Sequence, residues 1–226
     1  MVAHLARQDH PQRGTGSRRV IVGYLLSLET STRAEASWSG KALAVFEEHY
    51  LAAHPGATIR RRHTQHIPHL DFLAQLAGRT PIDQHTPELT QAWAVADELT
   101  TELLGADALV IATPMDNWGP PSALKAWIDR IINVRTFYTP DGSLATLPVT
   151  VIVASGGLYS EGDNVVHDHL RPLLRECFTR VGITDLVFVN CDPAGALDRG
   201  AIHPDTEGSA WHKAVAAIPA AAQRSR

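Results

Sequence analysis

Ser37, Trp38 and Ser39 stand at the end of a hydroxyl-rich run, Ser27 to Ser39, that leads into a helix-forming stretch from about Gly40. Hydroxyls and backbone N–H groups at a helix N-terminus bind anions, helped by the positive end of the macrodipole. A phosphate fits there, although simple capping by Ser37 or Ser39 accounts for the same residues equally well. A second segment, Pro114-Met115-Asp116-Asn117-Trp118-Gly119-Pro120-Pro121-Ser122, gathers an apolar ring, an amide and turn residues. A flat heteroaromatic ligand would find a stacking surface and hydrogen-bond partners in it; a turn around a buried Trp is the plainer reading. In a third, Ala154-Ser155-Gly156-Gly157, paired glycines let backbone N–H groups approach a ligand closely, as they also do in ordinary turns.

Other chemistries fit less well. Gly40-Lys41 lacks the earlier glycine and the following Ser or Thr of an NTP-binding loop. Gly14-Thr15-Gly16 precedes the first strand, so it is no dinucleotide fingerprint. A hydrolase elbow would need glycine where Val153 stands before Ser155. A phospho-receiver would need a Lys where the chain reads Asn190-Cys191-Asp192, and an acidic pair after strand one. His63, His66 and His69 with Asp71 form a candidate metal cluster, but histidines in a polar loop are usually solvated, so no metal is expected. His167-Asp168-His169 is expected on a helix, where i and i+2 face apart.

The elements that must position these loops follow from periodicity. Five short apolar runs read as strands: Val20 to Leu26, Ala57 to His63, Ala108 to Thr113, Val149 to Ala154 and Asp185 to Val189. The second, with Ile59 beside Arg60, Arg61 and Arg62, is polar enough for a sheet edge; the rest suit strands buried on both faces. Between them run helical stripes: Leu43, Phe46, Tyr50; Ala92, Ala96, Leu99, Leu103; and Val166, Leu170, Leu173, Leu174, Cys177, Phe178, Val181. A further helix is expected from Pro120 to about Asn133, and another after Thr206. This alternation predicts an α/β fold, a flavodoxin-like doubly wound five-stranded parallel sheet with helices on both faces. In such sheets ligands sit at the carboxyl ends of the strands, where the three loops lie.

With 226 residues, 44% of them hydrophobic, one substantial core is affordable. The expected division is a disordered tail over 1–18 and a single domain over 19–226. A net charge of -4 argues against nucleic acid as a partner. The two cysteines, Cys177 and Cys191, have no metal spacing and suit a reducing compartment. The first nineteen residues hold no apolar run fit for a signal-peptide core or membrane span, so a cytoplasmic location away from membranes is expected.

The run Pro114-Met115-Asp116-Asn117-Trp118, followed by Ser122-Ala123-Leu124-Lys125-Ala126-Trp127-Ile128-Asp129, resembles the FMN-dependent NADH-azoreductase and NAD(P)H quinone reductase family. The resemblance spans Val20 to about Gly195 and takes in Tyr138-Thr139, Ser155-Gly156-Gly157 and Val181-Gly182-Ile183-Thr184-Asp185. It implies bound FMN, with NADH or NADPH as co-substrate. Ser37, Trp38 and Ser39 then wrap the phosphate, and Ser27 corresponds to the serine just after strand one. Met115, Asp116, Asn117 and Trp118 line the isoalloxazine. Ala154, Ser155, Gly156 and Gly157 meet its pyrimidine side with backbone amides, which favour the negative charge gathering at N1 and O2 on reduction. Homodimers with active sites at the interface are implied, with Tyr138 and Trp118 shaping the substrate pocket.

By this resemblance, hydride passes to flavin N5 and a small acceptor (a quinone, azo or nitroaromatic compound) takes both electrons in the same cavity by double displacement. No catalytic side chain is assigned. The alternative is a flavodoxin-type electron carrier serving a protein partner; such carriers are smaller and strongly acidic. Two departures stand out: the family usually has Tyr where this chain has Asp116 and Arg where it has Ser155. Each moves local charge toward negative, which predicts a lowered flavin potential or an altered substrate preference. The residues do not distinguish NADH from NADPH, nor do they name the acceptor.

Overall fold

A computed structural model describes residues 23–33, 36–137 and 144–226. The expected tail, Val20 to Val22 of the expected first strand, and Tyr138 and Thr139 lie outside them. The elements run β1 (Tyr24–Glu29), α1 (Trp38–Ala53), β2 (Thr58–His63), α2 (Phe72–Ala77), α3 (Pro87–Gly105), β3 (Ala106–Pro114), α4 (Ser122–Ile131), α5 (Val134–Phe137), β4 (Val149–Ala154), α6 (Leu170–Arg180), β5 (Leu186–Cys191), α7 (Gly195–Asp198) and α8 (Ala210–Ala222). The five strands form one parallel sheet in the order β2-β1-β3-β4-β5. That is the flavodoxin-like order, and it puts the ends of β1, β3 and β4 side by side.

The period of two along the strands divides the core between two faces. Leu26, Leu28, Leu109, Ile111 and Val151 pack against Leu99 and Leu103 of α3, Leu124 and Trp127 of α4, and Leu170, Leu174 and Phe178 of α6. Leu25, Val110, Ile152 and Val189 pack on the opposite face against Ala42, Phe46 and Tyr50 of α1 and Ala214 and Ile218 of α8. β4 is buried throughout. β2 stands at the edge, where Arg61 makes a two-nitrogen contact with Glu47 and Arg62 reaches Glu98 and Glu102.

Several boundaries differ from expectation. β1 continues through Ser27 to Glu29, because the Ser27 hydroxyl donates to Glu47 Oε1 at 2.7 Å and so needs no solvent. The α3 core face runs through buried Trp93 in place of half-buried Ala92. The last stripe begins at Leu170, while Val166 lies in a 3₁₀ turn over Asp163–His167 and is exposed. Asp168 and His169 are not helical: Asp168 Oδ1 accepts from the amides of Leu170 and Arg171, starting α6 there.

Cys191 ends β5, fully buried, and desolvation followed by the charges of Asp192 and Asp198 pushes its thiol up to about 12. A raised thiol pKa means the folded state binds its proton more tightly than the unfolded chain. Its contribution to stability is therefore complete below the unfolded value of roughly 8.5 and is lost as pH rises toward about 12. We expect native Cys191 to resist iodoacetamide at pH 8 and to react fully in denaturant. Equal labelling rates in both states, read by mass spectrometry, would contradict this burial.

Candidate active site

At the carboxyl edge of the sheet a cleft of about 620 Å³ opens between the loops that follow β1, β3, β4 and β5. The loop after β1 contributes Ser31, Thr32 and Arg33 and leads into Ser37, Trp38 and Ser39. Ser37 is the N-cap of α1: its Oγ accepts from the amide of Gly40 at 2.9 Å and shares a hydrogen bond with Ser39 Oγ at 3.2 Å. Capping and anion binding are thus compatible, since the cap fixes hydroxyls beside the positive end of a 16-residue helix. Trp38 Nε1 donates to Asp198 Oδ1 at 2.9 Å, and Lys41 Nζ lies 4.1 Å from the centre of the same indole. Arg33 reaches Asp198 at 3.4 Å.

From β3 come Pro114, Met115 and Asp116. The chain then reverses: Asp116 donates its amide to Gly119 O at 3.0 Å and accepts from Gly119 N at 2.9 Å. The two residues between, Asn117 and Trp118, take φ of 47° and 64°. Positive φ is tolerable for Asn and an outlier for Trp. The turn is over-determined, because Trp118 O also accepts from the amide of His169 at 2.9 Å. The indole is accordingly 54% exposed.

From β4 come Ala154, Ser155 and Gly156. Ser155 Oγ donates to Gly157 O at 2.9 Å, closing the loop on itself. A side chain on Gly156 would project into open space, so its bare backbone lies open. The strip is fixed from behind: Ala194 N donates to Ser155 O at 2.8 Å and Gly195 N to Gly156 O at 3.1 Å. A Cβ on Gly195 would stand 2.6 Å from that Gly156 oxygen, so only glycine permits the approach.

The structure therefore brings Ser37, Trp38, Ser39, Met115, Asp116, Ala154, Ser155 and Gly156 around one hollow. Asn117, Trp118 and Gly157 adjoin lining residues in the chain but are not in the lining. Ser27 is displaced, facing Glu47 within the strand, and Ser31 takes its place as the serine just after β1. The expectation for Ser27 failed because the first strand runs three residues further than its apolar run. Ala194 and Asp198 were missed; the loop after β5 shares the carboxyl edge, a signal that topology alone could have raised. Among the described residues no group of three His, Cys, Asp or Glu side chains is placed to hold a metal, and His63 instead lies 3.3 Å from Glu29.

A family profile described as Flavodoxin-like fold matches residues 24–217. The chain is 38% identical over 182 residues to FMN-dependent NADH:quinone oxidoreductase 2 of Jannaschia sp., covering 78% of this chain and 89% of the relative. It is 39% identical over 176 residues to FMN-dependent NADH:quinone oxidoreductase of Azotobacter vinelandii, covering 74% and 86%.

The chain belongs to the flavodoxin-like family of the FMN-dependent NADH:quinone oxidoreductases.

Solved structures agree on the fold. Azoreductase from Bacillus anthracis superposes with a TM-score of 0.72 at 23% identity over 89% of this chain and 97% of its own. A second structure, described as an FMN-dependent NADH-azoreductase from the same species in complex with FMN, gives 0.72 and 23% over 89% and 98%. Within this family the cleft lies where the doubly wound sheet places ligands, outside the carboxyl ends of its strands.

Proposed function

We propose that this chain binds FMN in the cleft and passes electrons from NADH or NADPH to a small organic acceptor, a quinone, azo or nitroaromatic compound. One observation carries the reading: the serines at the head of α1, the Met115–Asp116 strip and the bare Gly156 backbone meet around a single hollow. The donor set fits the group, with hydroxyls at a helix N-terminus for a phosphate and backbone amides for the polar edge of a flat ring.

Ser31, Ser37 and Ser39 hold the phosphate, with Trp38 packed beside it. Met115, Asp116, Asn117 and Trp118 flank the ring, and Ala154, Ser155, Gly156 and Gly157 face its pyrimidine edge. FMN, when bound, supplies hydride acceptance at N5 and two-electron delivery to the acceptor. The chain's own residues orient the reactants and exclude water; no side-chain acid or base is required of them. Because one cleft serves donor and acceptor in turn, double displacement follows, with parallel lines in double-reciprocal plots. The test is the visible spectrum of the purified protein together with steady-state NADH and NADPH oxidation with a quinone. A colourless protein that ignores added FMN overturns the reading. A yellow protein inactive without a reductase would make it an electron carrier instead.

Asp116 is exposed at the cleft and Ser155 closes its own loop, so the negative drift in charge relative to the family rests chiefly on the Asp116 carboxylate and on a missing guanidinium. Screening at an exposed position limits the effect. Asp116→Tyr combined with Ser155→Arg is expected to raise the two-electron midpoint potential by about 20 mV, corresponding to ~1 kcal/mol. Redox titration checks this, and an unchanged potential would remove Asp116 from the account.

The chain is also proposed to act as a homodimer. Phe72, Leu73 and Leu76 of α2, together with Ile82, form an exposed apolar surface of the kind a second copy covers. Light scattering is expected to give twice the chain mass, and Phe72→Asp to shift it to the monomer. A monomeric parent protein would refute the proposal.

A further inference from the structure

Between α2, α3 and α4 lies a second cleft, of about 590 Å³, that shares no lining residue with the site above. Its wall is divided in character. Ala74, Trp93 and Ala96 supply apolar surface, while Arg79 and Arg130 bring two guanidinium groups to it. Arg130 is only 3% exposed, and its Nε is buried with no acceptor. Its Nη2 donates to the carbonyls of Pro68 at 3.3 Å and His69 at 3.1 Å. Among the described residues no carboxylate lies within ion-pairing distance of Arg130 or of Arg79.

A buried cation without a counter-ion is costly, and buried charges are ordinarily paired. Burial accordingly pulls the Arg130 pKa down, opposed by the charge of Asp71. Asp71 does not discharge the debt, because its carboxylate accepts from the amide of Ala74 at the head of α2. Asp129, on the same wall, is held by Lys125 at 2.6 Å. The two carbonyl bonds explain how Arg130 ties down residues 68 and 69. They leave unexplained why a cation lines an open cleft beside a second guanidinium that also has no carboxylate.

We propose that this cleft binds a small organic monocarboxylate, with its charge toward Arg130 and Arg79 and its apolar body against Trp93. A single charge is favoured over a phosphate dianion because Asp129 lines the same space and the charge of Asp71 already acts on Arg130.

The test is calorimetric titration of the full-length, FMN-loaded protein with benzoate, with neutral benzamide of the same shape, and with inorganic phosphate. Benzoate is expected to saturate one site per chain in the presence of excess quinone, and both comparators to bind about tenfold more weakly. Arg79→Gln and Gln75→Glu, both at exposed positions on the cleft, are each expected to weaken benzoate about fivefold and to leave NADH oxidation unchanged. Absence of saturable benzoate binding overturns the proposal, as does indifference to both variants. Displacement by quinone would move the anion to the first cleft. Phosphate binding tighter than benzoate would refute the ligand class, and affinity that falls as the protein dimerises would give the cleft to a second copy.

Discussion

Ser39→Asp is expected to yield a folded protein that fails to retain FMN, its dissociation constant raised about 100-fold or more. Ser39 is buried in the cleft wall, and its Oγ shares a hydrogen bond with that of Ser37 at 3.2 Å. A carboxylate there would stand within roughly 6 Å of a bound phosphate, costing about 3 kcal/mol per charge pair at an effective dielectric constant near 20. Ser39 is the cleaner target because Ser37 also caps α1, and its loss would cost about 1 kcal/mol of stability in addition. Ser39→Ala, which removes one hydroxyl and adds no charge, should weaken binding about tenfold. Quenching of FMN fluorescence gives both constants. Undiminished affinity in Ser39→Asp would move the phosphate away from the head of α1.

Asp192→Ala is expected to lower stability by about 3 kcal/mol and Tm by roughly 6–12 °C. The carboxylate, buried after β5, accepts from the amides of Tyr159 at 3.1 Å and Ser160 at 2.9 Å and from Ser160 Oγ at 2.8 Å. Arg171 approaches it at 3.5 Å while also bonding Asp168 at 2.8 Å. Its removal strands the two amides and the hydroxyl that anchor the segment beyond Gly157, and it leaves Arg171 with one carboxylate fewer. The same change should weaken FMN binding, since that segment is continuous with the Ser155–Gly156 strip. Asp192→Asn, which keeps one acceptor oxygen, should recover about half of the lost stability. Calorimetry with and without FMN measures both effects; an unaltered Tm would show that the network does not support the loop.

The alternation of apolar runs and helical stripes was enough to predict the sheet, because β3 and β4 are buried on both faces and consist almost wholly of apolar residues. The three loop segments drew attention because a doubly wound fold places ligands at the carboxyl ends of its strands, although caps and ordinary turns use the same residue types. Where polar residues entered an element, the pattern misled. Ser27 and Glu29 looked like loop because nothing in the sequence announces that Glu47 and His63 will meet them. Val166 looked like helix because it lies four residues before Leu170 and so extends the apolar stripe of α6, which Asp168 interrupts by accepting from the amides of Leu170 and Arg171.

By itself the sequence determined the five strands, the five longer helices, the three loops and their resemblance, but not the short helices Phe72–Ala77, Val134–Phe137 and Gly195–Asp198, since periodicity needs several turns to show and neighbours along the chain carry the rest. The tertiary structure alone decided that Ser31 and not Ser27 follows β1, that Ala194 and Asp198 close the cleft from β5, and that Arg130 is buried beside a second cavity. The reason is physical: pairing between side chains 20 to 165 residues apart, such as Ser27 with Glu47 or Arg33 with Asp198, is created by packing and leaves no local trace.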